Sequence, residues 1–163
     1  MAETIAFSKG ADRAKVYSEI LPQIEALIGP ESDMTANLGN IAAVLKEAFG
    51  FLWIGFYLSD GKELVLNAFQ GPVACTRIAF ESGVCGHCFT TGSTVVVPDV
   101  EAFPGHIACS SLSKSEIVVP ILSANGEVWG VLDVDSENLS DFSEIDAEWL
   151  QKIVGLIETK LRG

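Results

Sequence analysis

Apolar positions recur every three to four residues near both ends of the chain and crowd into short runs between them, so the hydrophobic period divides the sequence before any motif is read. Residues 12–28 carry Val16, Ile20, Leu21, Ile24 and Leu27 at helical spacing, with Gly29-Pro30 as the stop signal. Pro22, inside that stretch, either kinks the helix or opens its second half. A second helix begins at a cap on Asp33 or Thr35, lines up Leu38, Ile41, Ala42, Leu45 and Phe49 on one stripe, and closes at Gly50. The period then shortens. Aliphatic and aromatic runs at 51–58, 63–69, 94–97, 117–122 and 128–134 read as strands. Ser59-Asp60-Gly61 and Ala124-Asn125-Gly126 are compact turn signals, which predicts two antiparallel hairpins. A short helix is expected over 83–91, between strands. Residues 141–161 restore the helical period through Phe142, Ile145, Leu150, Ile153, Val154 and Ile157, with Ser143 near the start.

This order predicts an α+β fold: a central antiparallel sheet with helices packed on one face, as a single domain over residues 1–163. The first and last helices either pair about a twofold axis with a second copy or cover their own sheet. Within the strands, alternation sets Trp53, Gly55 and Tyr57 on one side and Leu52, Ile54 and Phe56 on the other. It likewise sets Asp133 and Asp135 opposite Leu132 and Val134.

Composition narrows the function classes. At 163 residues and 48% hydrophobic content the chain can bury a core without disulfide or metal staples. A net charge of -12 argues against nucleic acid and anionic membranes as partners, because both are bound through clustered Lys and Arg. No apolar run approaches membrane-spanning length and no N-terminal leader pattern is seen, so a soluble, cytoplasmic protein is expected. In a reducing cytoplasm Cys75, Cys85, Cys88 and Cys109 are expected as buried, metal-binding or catalytic thiols rather than permanent structural disulfides.

Three segments carry specific chemistry: Ala74-Cys75-Thr76-Arg77-Ile78, Gly83-Val84-Cys85-Gly86 and Pro104-Gly105-His106-Ile107-Ala108-Cys109-Ser110. Together with Val96-Val97-Pro98-Asp99-Val100, Ser115-Glu116-Ile117-Val118-Val119-Pro120 and Gly130-Val131-Leu132-Asp133-Val134-Asp135-Ser136, they resemble the signatures of the free methionine-R-sulfoxide reductases, in order and in cysteine spacing. The resemblance runs from about Phe51 to Phe142. It implies a GAF fold, usually a homodimer, and reduction of free methionine-R-sulfoxide with thioredoxin as electron donor and no bound cofactor. It further implies Cys109 as the attacking cysteine, Cys75 as its resolving partner and Cys85 as a third cysteine of lesser or recycling role. Trp53, Glu116, Asp133 and Asp135 fall on the family's substrate-pocket positions, and Tyr57, on the same strand face as Trp53, can offer a hydroxyl. Cys88 departs from the three-cysteine pattern, which leaves open which disulfide meets the reductant.

These residue types suit the chemistry. A sulfoxide sulfur is electrophilic but its oxygen leaves poorly, so reduction needs a thiolate to attack and an acid to protonate the oxygen. Attack leaves a sulfenic acid that a second thiol must trap as a disulfide before further oxidation. Asp133 and Asp135 on one face, joined by Glu116, would repel one another and favour keeping one acid protonated, the others holding a substrate ammonium. His106, three residues before Cys109, either favours the thiolate or only bonds the loop backbone. Three rival readings remain. Cys85-Gly86-His87-Cys88 has the form of a disulfide-exchange motif, although the strand order around it is not that of a βαβ unit. Cys85, Cys88, Cys109 and His106 or His87 satisfy the ligand count of a zinc site, with no second paired knuckle. A sensory GAF module would bind a small ligand without chemistry and have no need of two reactive thiols.

Overall fold

The structure is a computed structural model and describes residues 4–163, so the first three residues of the expected domain lie outside the described residues. Two helices open it, α1 (Arg13–Ile28) and α2 (Met34–Phe49). Strands β1 (Trp53–Ser59), β2 (Glu63–Gln70) and β3 (Arg77–Ala79) follow, then helix α3 (Gly83–Thr91) and strand β4 (Val95–Val97). A 3₁₀ turn at Val100–Ala102 leads through an irregular segment to β5 (Ser115–Leu122), β6 (Val128–Ser136) and the closing helix α4 (Glu144–Leu161). The six strands form one antiparallel sheet in the order β3-β2-β1-β6-β5-β4. Both expected hairpins are present, as β1-β2 and β5-β6.

Local chemistry sets the boundaries. Asp12 caps α1 by accepting from the Lys15 N–H, and Asp33 rather than Thr35 caps α2 by accepting from Ala36. Helix α1 runs through Pro22 without breaking, at the cost of one backbone bond to the carbonyl of exposed Ser18. Helix α4 starts later than its apolar period suggests, because Ser143 and Asp146 close a reciprocal capping box there. Strands β5 and β6 both run two residues further toward the acidic end than the apolar pattern indicates, which brings Glu116 and Asp135 inside the ladder. Strand β3 and the 3₁₀ turn, at three residues each, are too short to leave a periodic signal.

The sheet is buried on both faces. Ile54, Phe56, Ile117, Val119, Ile121, Leu132 and Val134 point to the side covered by α1, α2 and α4, where they merge with Tyr17, Ile20, Leu38, Ile41 and Leu150. On the opposite side α3 packs across β5 and β6, burying Val84, Cys85 and Cys88 against Tyr57, Val118 and Val131. Its approach is close: a Cβ on Gly86 would lie 2.7 Å from the Phe80 carbonyl oxygen, so only glycine fits where α3 passes β3. The three long helices therefore take the expected face, and the short helix takes the other. Leu52 departs from the expected alternation. It precedes β1 and packs on the α3 side with Trp53 rather than with Ile54. Among the described residues no helix is long and apolar enough to cross a membrane.

Candidate active site

The α3 face does not close completely. Between the sheet, the N-terminal end of α3 and the segments preceding β3 and β5 lies an open-mouthed cavity, whose empty space with the mouth included is about 590 Å³. Register explains its floor. Trp53 pairs with Asp135, and Asp135 pairs with Glu116, so one row across β1, β6 and β5 carries an indole and two carboxylates. The next row on the same face runs Gly55, Asp133 and Val118. Strand alternation thus gathers three acids whose apolar neighbours Leu132 and Val134 point into the opposite core.

The wall beside this row is aromatic. Trp53 is 5% exposed, stacks on Phe69 with ring centroids 5.3 Å apart and lies 5.9 Å from the Tyr57 ring. Its indole N–H donates to the Pro72 carbonyl at 3.1 Å. The space left by Gly55 is taken by the Trp53 ring itself, against which any added Cβ would collide. The Tyr57 hydroxyl donates to the Cys75 carbonyl at 2.8 Å, so its proton is already committed and it ties β1 to the loop that carries Cys75.

That loop and the segment before β5 meet over the cavity. Cys75 and Cys109 form a disulfide with Cα atoms 5.3 Å apart and a sequence separation of 34 residues. Cys109 lines the cavity, as does the free, buried thiol of Cys85. Cys88 is also free but points away, its sulfur donating to the Val118 carbonyl at 3.6 Å. The four ligands of the zinc set considered from the sequence are therefore not assembled, because Cys109 is spent in the disulfide and Cys88 faces the sheet. A different trio is: single donor atoms of Cys85, Glu116 and Asp133 lie within 4.8 Å of one another.

Burial dominates the electrostatics. Glu116 and Asp133 are 5% and 6% exposed, and Asp135 keeps some exposure to the cavity. Loss of hydration, followed by repulsion from Asp135, pushes Glu116 up to about 8. Asp133 is pushed well above the usual carboxylate range by burial and then by Glu116, and Asp135 by burial and then by Asp133. No donor reaches Asp133 Oδ1, which is buried without a hydrogen-bond partner. Burial also raises the Cys85 thiol, with Asp133 and Glu116 adding to the effect. His106 Nε2 lies 4.0 Å from Glu116 Oε2, and its partial burial lowers its affinity for a proton. A neutral His106 near a protonated Glu116 is the arrangement these directions favour.

The catalytic and substrate-pocket residues expected from the sequence meet at this cavity, with Cys75 joined to it through Cys109, whereas His87 and Cys88 lie outside its lining. Ser82, Ser110 and Ser113 also line it. Ser113 donates to Asp135 Oδ1 at 2.9 Å and fixes that carboxylate from the segment before β5. A lone serine in an irregular segment leaves no sequence signal. Pro72, Val73 and Ile107 complete the apolar rim and are equally silent in the pattern.

The GAF domain family model matches residues 33–161. The chain is 54% identical to GAF domain-containing protein A of Dictyostelium discoideum, over 97% of this chain and 99% of that protein. It is 38% identical to the free methionine-R-sulfoxide reductase of Saccharomyces cerevisiae, over 96% of this chain and 91% of that protein. A solved structure, the free methionine-R-sulfoxide reductase of Neisseria meningitidis in complex with its substrate, superposes with a TM-score of 0.94 at 56% identity, covering 97% of this chain and 95% of that one.

Proposed function

The chain belongs to the free methionine-R-sulfoxide reductases of the GAF domain family, and from that premise we propose that it reduces free L-methionine-(R)-S-oxide to L-methionine by thiol chemistry at Cys109. It is an oxidoreductase acting on a sulfur group. The observation that carries the assignment of the nucleophile is the Cys75–Cys109 bond in the wall of a cavity floored by three acids of raised proton affinity.

The reaction runs in two thiol steps. The Cys109 thiolate attacks the sulfoxide sulfur while Glu116, protonated at neutral pH, donates to the sulfoxide oxygen. The oxygen passes to the cysteine sulfur, so methionine leaves reduced and Cys109 becomes a sulfenic acid. Cys75, or Cys85 in a secondary route, then attacks that sulfur, forming a disulfide and releasing the oxygen as water. Thioredoxin supplies two electrons and two protons to restore both thiols, and no bound cofactor takes part. Trp53 and Tyr57 wall the methylthio end of the substrate, while Asp133 and Asp135 take its ammonium, whose N–H groups give Asp133 Oδ1 the donor it lacks. A small cavity with the nucleophile in its wall favours a free amino acid over a peptide. We place the enzyme in the cytoplasm, where thioredoxin keeps thiols reduced, as a homodimer.

A coupled assay with thioredoxin, thioredoxin reductase, NADPH and racemic free methionine sulfoxide tests the proposal. NADPH oxidation is expected to stop when about half of the substrate, the R epimer, is consumed. Folded protein that binds the sulfoxide without oxidising NADPH would return the chain to a ligand-sensing role.

A further inference from the structure

We propose that the oxidised protein holds one thiophilic divalent cation, of the zinc and cadmium class, between the Cys85 sulfur and carboxylate oxygens of Glu116 and Asp133. The three donor atoms already lie within 4.8 Å of one another on the cavity floor. In a tetrahedral zinc site such atoms stand about 3.4 Å apart or slightly more, so the trio closes by at most about 1.4 Å. Side-chain rotation on a fixed sheet supplies that movement.

Two further observations point to a cation rather than to acids merely sharing protons. Asp133 Oδ1 is fully buried and has no hydrogen-bond donor, a state that costs free energy until a positive group reaches it. The Cys85 thiol is the one cysteine sulfur free to act here in this redox state, since Cys75 and Cys109 are joined and Cys88 is turned to the Val118 carbonyl. One sulfur and two carboxylates select a borderline ion over calcium or magnesium, which take six or more oxygens. The third acid, Asp135, is held by Ser113 at 2.9 Å and stays outside the ligand set. Water from the cavity fills the fourth position. Binding releases the thiol proton and any proton the two acids share to solvent. Because the same cavity is proposed to receive the substrate ammonium, the cation would exclude substrate; that consequence rests on the function proposed above, whereas binding itself does not.

The test is a titration of the oxidised full-length chain with Cd²⁺ alone, in the absence of substrate and reductant, so a failed reductase assay and a failed metal site are read separately. One equivalent is expected to bind by calorimetry and to raise an ultraviolet thiolate-to-cadmium absorption band. Cys85→Ser should abolish the band and weaken binding by at least about tenfold. Asp133→Asn and Glu116→Gln should each weaken binding by at least about tenfold while keeping a cooperative thermal transition, and Cys88→Ser should leave band and affinity intact. Absence of stoichiometric binding by the oxidised chain would overturn the proposal, as would a band that survives Cys85→Ser or disappears in Cys88→Ser.

Discussion

At the scale of single residues, the proposed chemistry divides the cysteines sharply. Cys109→Ser is expected to abolish turnover, whereas Cys75→Ser should reduce about one equivalent of sulfoxide per chain and then stall, as a single-turnover assay by chromatography will register. Multiple turnover by the Cys109 variant would move the nucleophile elsewhere. Glu116 supplies a second test with a defined sign. Its ordinary value is 4.5 and burial raises it to about 8, so the folded protein keeps a proton that the unfolded chain releases across that interval. Its contribution to stability therefore falls as pH rises from about 4.5 to about 8, and Glu116→Gln, which cannot titrate, should gain on the parent by up to about 1.4 kcal/mol per pH step in urea denaturation. The same proton is the one proposed to reach the sulfoxide oxygen. Thus kcat/KM of the parent should decline above about pH 8, and the variant should lose about a hundredfold or more at neutral pH together with that declining limb.

At the scale of elements, the start of α4 is the joint that holds the ends of the chain together. Ser143 accepts from Ile145 N–H at 3.2 Å, and Asp146 accepts from Ser143 N–H at 2.9 Å. Asp146 also accepts from the buried Tyr17 hydroxyl at 2.8 Å and from Arg13 at 3.1 Å, both on α1. Ser143→Ala should cost about 1 kcal/mol in chemical denaturation, the usual worth of a cap. Asp146→Ala should cost about 3 kcal/mol, because it also leaves the buried Tyr17 hydroxyl without its acceptor and removes one of the two acids paired with Arg13. Equal losses would mean that the links to α1 contribute nothing. Elements of this kind were legible in the sequence wherever a long period, an apolar run or a turn signal announced them: all four helices, both hairpins and five of the six strands. The bounds of α3 match the expected 83–91, and Gly92 in the left-handed conformation ends it. What escaped were features decided by partners distant in sequence. Strand β3 exists because Arg77, Ile78 and Ala79 pair with β2, and the extension of β5 and β6 through Glu116 and Asp135 follows from cross-strand bonds that no apolar pattern encodes. The gathering of Trp53 with the acids could be anticipated from alternation and resemblance together, but Ser113 and the tie from Tyr57 to Cys75 depend on the folded path of loops.

At the scale of the whole molecule, the Cys75–Cys109 bond joins positions 34 apart in sequence and closes a loop that includes β3, α3 and β4, and so constrains the unfolded chain as well as the cavity. Closing a loop of that length is worth about 4 kcal/mol of chain entropy, and reduction should lower the unfolding free energy by an amount of that order in paired denaturation curves with and without reductant. Curves that coincide would contradict it. The two arms of this bond are not equally anchored. On one side, the Tyr57 hydroxyl grips the Cys75 carbonyl and Leu66 N–H grips the neighbouring Thr76 carbonyl, so that arm is clamped to the sheet. On the other, Cys109 and His106 are held by backbone bonds to Ile107 and Phe103 within their own segment. Cleaving the sulfur bridge should consequently free a swinging arm at 104–112 and leave a fixed post at 72–77, which amide hydrogen exchange would record as faster exchange in the first stretch alone. Each catalytic round would then be one stroke of a latch whose bolt is Cys109 and whose catch never moves.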